Sequence, residues 1–268
     1  MASDNSTTWE SAPKVPGETY TLTNHTDKAT ANVFNAPMVY NPAGSDRILS
    51  LQDEDVLTGT AGRTDNTLNV EMGQVNADEG TGASRTPTLK NIQYVNAEFT
   101  GSTSTLDLRY ADSVTKVNVE KVTKLAGNDV IVEGISSVLQ GMRVANAAKK
   151  DANIKFESKQ GVLSGVSDSS LLELNNVIAG DVTIKGDSPT PEGYEKLQMT
   201  AKNGVQINSL IADQLQELTI TGSGILKIAK TKIDNANSPE FTILEDGGVV
   251  ANGSTGLTKL DASGFNGT

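Results

Sequence analysis

The sequence predicts an all-β fold of many short strands, on three observations. Triplets that read apolar, polar, apolar recur roughly every ten to fifteen residues over much of the chain, a period-two pattern that puts the outer pair on one face and the middle residue on the other. Aromatics are only 4% of residues, with one Trp, so a core has to be built from Val, Ile and Leu. The segments between triplets are rich in Gly, Asp, Asn and Ser, which favour tight turns.

Taken in order, residues 1–18 read as a flexible polar N-terminal arm whose large apolar side chain is Trp9. Short β-prone stretches follow around Tyr20-Thr21-Leu22 and Val33-Phe34, ending at Pro37. From Asn41 to Gly82 the apolar residues come singly or in pairs, as at Ile48-Leu49 and Val56-Leu57, which predicts very short strands joined by turns. Gly73 to Thr88 reads as a surface loop and places a boundary between a Gly/Asp-rich region, 19–88, and a repeat region, 89–268. Beyond it come Leu106-Asp107-Leu108, Val117-Asn118-Val119, Val130-Ile131-Val132, Ile154-Lys155-Phe156 and Leu172-Glu173-Leu174, and the pattern continues to Leu226-Lys227-Ile228 and Phe241-Thr242-Ile243. Ser137 to Lys150 departs from it: Val138, Leu139, Met142 and Ala145 fall at near-helical spacing, which predicts a short helix despite Gly141. Three-residue strands are stable only when stacked. The predicted architecture is therefore a β-solenoid, with an antiparallel β-sandwich as the alternative that gives similar strand spacing.

Composition narrows function. A net charge of -11 argues against a nucleic-acid partner, because phosphate recognition draws on a basic surface. With no Cys and one His, His25, thiolate sites, His-cluster metal sites and Ser-His-Asp catalysis cannot be assembled. Acidic pairs such as Asp53/Asp55 or Asp78/Glu79 could act on a glycan as acid and base, but the aromatic residues that line carbohydrate clefts are scarce. No apolar run reaches the roughly 18 residues of a membrane span, and Met1 to Pro13 lacks the apolar centre of a secretory signal peptide.

Leu51 to Val70 is the most specific local feature. It resembles the Ca²⁺-binding nonapeptide, in which Gly residues make the turn, an Asp supplies carboxylate oxygen and an apolar residue anchors the strand. The matching positions are Gly59, Gly62 and Asp65, with Leu68 as anchor; Asp53 and Asp55 would add charge from the preceding turn. Thr60 in place of Gly, the positive Arg63 and the extra Thr64 depart from the pattern. With this segment, the stretches Tyr20 to Ala36 and Leu89 to Ala97 and the run from Leu215 to Gly267, the chain resembles RTX-related bacterial surface-layer and type I-secreted surface proteins. The resemblance implies a noncatalytic structural protein outside the cell, exported by type I secretion and folding with Ca²⁺. It also implies assembly with copies of itself into a surface layer, matrix or fibre, with cell-surface polysaccharide as a further partner. The alternative is a β-helix module that binds or cleaves polysaccharide.

Overall fold

A computed structural model describes residues 17–41, 44, 47–73, 83–101, 103–123, 129–148, 151–230, 241–243, 249–251 and 257–267. The expected arm, apart from Gly17 and Glu18, lies outside these residues, as do Asp78 and Glu79. The described chain is all-β, and nearly all of its strand pairing is parallel. The two antiparallel pairs are Met38–Tyr40 with Arg47–Leu49 and Phe241–Ile243 with Val249–Ala251. No helix of the described residues is long and apolar enough to cross a membrane.

Through the middle of the chain each strand pairs with the next but one, so two parallel ladders grow in alternation. The first runs Thr19–Thr21, Val33–Ala36, Thr67–Met72, Tyr94–Phe99, Lys116–Val122, Gly141–Ala148, Ser169–Ile178, Lys196–Ala212, Glu217–Gly222 and Lys259–Phe265. The second runs Ser84–Arg85, Ser104–Asp107, Asp129–Ile135, Asn153–Ser158 and Asp181–Gly186, and ends on the distal part of Lys196–Ala212. That long strand enters both ladders and joins them into one sheet. A smaller parallel sheet, Lys28–Ala31, Val56–Gly59 and Thr88–Lys90, covers the N-terminal part, and its last strand spans the expected 88/89 boundary.

Register explains why such short strands hold. In the first ladder Phe34, Leu68, Val95, Val117, Met142, Leu172, Met199 and Ile220 occupy one column of aligned positions, all buried. Two residues further on, Ala36, Val70, Ala97, Val119, Val144, Leu174 and Ala201 form a second buried column. A triplet thus contributes two side chains to a continuous aliphatic core, while its backbone bonds to strands on both sides. The second ladder repeats this with Val130, Ile154, Val182 and Leu210, and with Leu106, Val132, Phe156, Ile184 and Ala212.

The first-ladder strands bend at matched positions. Asn146, Asn176 and Asn203 all adopt the left-handed region, at φ 50, 56 and 53°, a conformation that Asn tolerates better than most side chains. Asn176 Nδ2 donates to Asn146 Oδ1, and Asn203 Nδ2 to Asn175 Oδ1.

The helix expected over Ser137 to Lys150 is not formed. Gly141–Ala148 is a strand between Lys116–Val122 and Ser169–Ile178, with Met142 and Val144 in the two core columns and Val138 exposed. Both the helical and the alternating template place Met142 inside. Pairing to two neighbours supplies backbone bonds and burial that a helix interrupted by Gly would lack, so tertiary context overrides local preference.

Candidate functional site

Of the five residues expected to bind Ca²⁺, Gly59 ends the strand Val56–Gly59 and the other four lie on two turns at its opposite ends. Asp53 and Asp55 precede that strand, and Gly62 and Asp65 follow it. At roughly 3.3 Å per residue, the strand holds the two acidic turns on the order of 13 Å apart. Asp53 Oδ1 accepts the Thr86 amide at 2.8 Å. Asp55 is fully buried, and its two oxygens accept backbone N–H groups, Asp27 at 2.7 Å and Gln52 at 2.8 Å. Burial raises the Asp55 carboxyl above the usual range despite those two bonds. Asp65 is held by Arg63 through Nε at 2.8 Å and Nη2 at 2.6 Å, and this pairing lowers its pKa.

The two glycines are explained by backbone geometry. Gly62 turns the chain at φ 77°. A side chain at Gly59 would put its Cβ 2.0 Å from the carbonyl oxygen of Asn91, just after the strand Thr88–Lys90, so this position is a close backbone approach. As placed, these residues do not form a Ca²⁺ site: both oxygens of Asp55 and of Asp65 and one of Asp53 are engaged by amides or a guanidinium, and the two turns do not converge. Among the described residues there is no group of three or more His, Cys, Asp or Glu able to hold a metal.

The most ordered polar feature is the row between the two core columns of the first ladder. Asn35, Asn69, Asn96 and Asn118 are in register on adjacent strands. Their amides form a one-way chain: Asn69 Nδ2 donates to Asn35 Oδ1 at 2.9 Å, Asn96 to Asn69 at 2.8 Å and Asn118 to Asn96 at 2.7 Å. The steps span 34, 27 and 22 residues of sequence, so a fixed repeat length is not what aligns them. The row continues with Arg143 and Glu173. Arg143 binds Glu120 at 2.8 Å and Glu173 at 3.0 Å, and Lys202 reaches the other Glu173 oxygen at 2.8 Å. Glu173 is 1% exposed and thus a buried carboxylate held between two cations. Burial raises the Glu120 carboxyl despite Arg143. The buried Asn118 Oδ1 ends the amide chain without a donor.

Beside this row lies an open 540 Å³ groove lined by Asn35, Asn69 and Asn96, by Glu71, Glu98 and Glu120, and by Arg143. Its amides recur at the strand spacing of about 4.8 Å, a regular array of donors and acceptors. The triplet Val117-Asn118-Val119 places Asn118 as a middle residue facing away from the core, but its hydrogen bonding to Asn96 depends on register, which the sequence pattern does not carry.

The second ladder carries an outward acidic column. Asp107 lies opposite Glu133, while Glu157 is paired with Lys155 at 2.5 Å and Lys185 at 3.3 Å. Burial and then the Asp107 and Glu157 charges raise Glu133. Burial also opposes ionisation of Glu157, but the two lysines together hold its pKa down. The phenol of buried Tyr194, whose oxygen accepts the Leu139 amide at 2.9 Å, is pushed up to about 12, chiefly by burial.

At the ends of the first ladder, Thr19–Thr21 and Lys259–Phe265 are each bonded to a strand on one side only among the described residues. No family model, curated protein or solved structure matches the chain.

Proposed function

We propose that the chain is a β-solenoid and serves as a noncatalytic structural unit that assembles with copies of itself into an extracellular layer, matrix or fibre. The next-but-one parallel pairing supports the solenoid over the sandwich, since a sandwich closes its sheets mainly with antiparallel neighbours. One observation carries the assembly reading: a long parallel ladder runs from Thr19 to Phe265, and among the described residues its first and last strands each keep an unpaired edge. Such edges are templates for further strand addition. The expected help from Ca²⁺ rests on the resemblance of Leu51 to Val70 to the Ca²⁺-binding nonapeptide and requires these residues to be arranged otherwise than the structure places them.

Light scattering of the purified protein against concentration, with Ca²⁺ and with chelator, tests the proposal. Growth of large species supports it, and a chain that stays monomeric at every concentration in both conditions refutes it. The difference between the two arms measures how far the ion contributes. A second reading, binding of a cell-surface polysaccharide, is favoured by the polar groove over Asn35, Asn69 and Asn96. It predicts retention on immobilised glycan that Asn96→Ala weakens.

A further inference from the structure

We infer that copies of the chain join head to tail, with Thr19–Thr21 of one copy adding to the edge of Lys259–Phe265 of the next, an edge left unpaired among the described residues. This rests on the self-assembly reading and supplies its geometry. Strand direction favours this joint. All pairs along the first ladder are parallel, so its two ends are different surfaces, and adding the first strand of one copy to the last strand of another extends the ladder in the same sense. Two like ends facing each other about a two-fold axis would instead pair antiparallel. A heterologous contact between unlike ends does not close in a pair and grows an open chain.

The core is incompletely covered at both ends. Tyr20 and Ala29 at the first end, and Leu226, Leu260 and Phe265 at the last, pack on the aliphatic core but remain only partly buried. Tyr20 heads the column that begins with Phe34, its ring 6.3 Å from the Phe34 ring. Stacking unlike ends covers both sets of side chains at once.

Register defines which residues would meet. The column beginning at Thr19 passes through Val33, Thr67 and Tyr94 and ends at Thr219 and Asp261. The column beginning at Thr21 follows the asparagine row and ends at Thr221 and Gly264. Continuing these columns puts Thr19 of one copy opposite Asp261 of the next, and Thr21 opposite Gly264, with Tyr20 on the inward face between them.

The chain has no Cys, so the register can be read by cross-linking. Residues opposite each other on adjacent strands lie about 4.8 Å apart, within reach of a disulfide. The double variant Thr19→Cys/Asp261→Cys, oxidised and run without reductant, should give a series of covalent multimers that reductant collapses to the 28.1 kDa chain. Thr19→Cys or Asp261→Cys alone should give dimers at most. Thr19→Asp, at an exposed position that the proposed joint places opposite Asp261, should suppress growth in light scattering by like-charge repulsion while leaving the melting temperature of the monomer within a few degrees.

If the unaltered chain grows in light scattering but the double variant yields no multimer series, the head-to-tail geometry is wrong and the assembly reading survives. If neither grows, both are wrong. If the double variant stays monomeric and Thr19→Asp sharply lowers the monomer's melting temperature, the first end is covered within its own chain and the inference is overturned.

Discussion

Asn96 stands in the middle of the amide chain, giving a hydrogen bond to Asn69 and taking one from Asn118. Asn96→Ala removes both and strands the buried Asn118 amide, so it should lower stability by about 1–3 kcal/mol in urea denaturation. Asn35→Ala, at the end of the chain of amides, breaks a single bond and should cost less. Glu133 gives a pH-dependent test. Its folded pKa is raised by burial and by Asp107 and Glu157, with Lys155 and Arg109 opposing, so the ionised form disfavours folding. That penalty is full above the folded pKa and fades as pH falls through it towards the unfolded value. Glu133→Gln should therefore stabilise the protein at neutral pH, and the gain should vanish on acidification, as thermal melts across pH would show. Asp65 has the opposite sign: with its pKa lowered by Arg63, it contributes stability above the unfolded pKa that is lost as pH falls through the folded one. Its pairing with Arg63 could be anticipated from the sequence, where the two lie two residues apart. The burial of Asp55 could not, because the amides it accepts belong to Asp27 and Gln52, and Asp27 is brought to it by the packing of neighbouring strands.

At the level of the strand, period-two alternation was sufficient for several triplets with both flanking residues apolar, although Leu106-Asp107-Leu108 runs one residue past its strand. It located Val117-Asn118-Val119, Ile154-Lys155-Phe156 and Leu172-Glu173-Leu174 inside strands with the outer residues buried. It failed at Gly141–Ala148, where Met142 suits a helix face and a strand face equally and only the neighbours at Val117 and Leu172 decide. Leu172 sits between Met142 and Met199 with no exposure. Leu172→Ala should cost about 2–5 kcal/mol as a cavity in the column, seen as a lower denaturation midpoint. Val166→Ser, at an 87% exposed position outside the columns, should change stability by no more than about 0.5 kcal/mol.

For the whole molecule, ten strands stacked at about 4.8 Å set the length of the first ladder, and the proposed head-to-tail joint adds one more spacing per copy. An assembly built this way should show an axial rise on the order of 48 Å per chain in electron micrographs, whereas lateral packing would show no such repeat. The sequence by itself determined the all-β class, the aliphatic core and the outward placement of the polar middle residues, because alternation along a strand is local and needs no partner. Only the tertiary structure decided which strand lies beside which, the parallel sense of nearly all pairs, the amide chain through Asn118 and the separation of the two acidic turns. Strands aligned across 34, 27 and 22 residues of intervening chain carry no fixed period, so their registry comes from fitting side chains into shared columns.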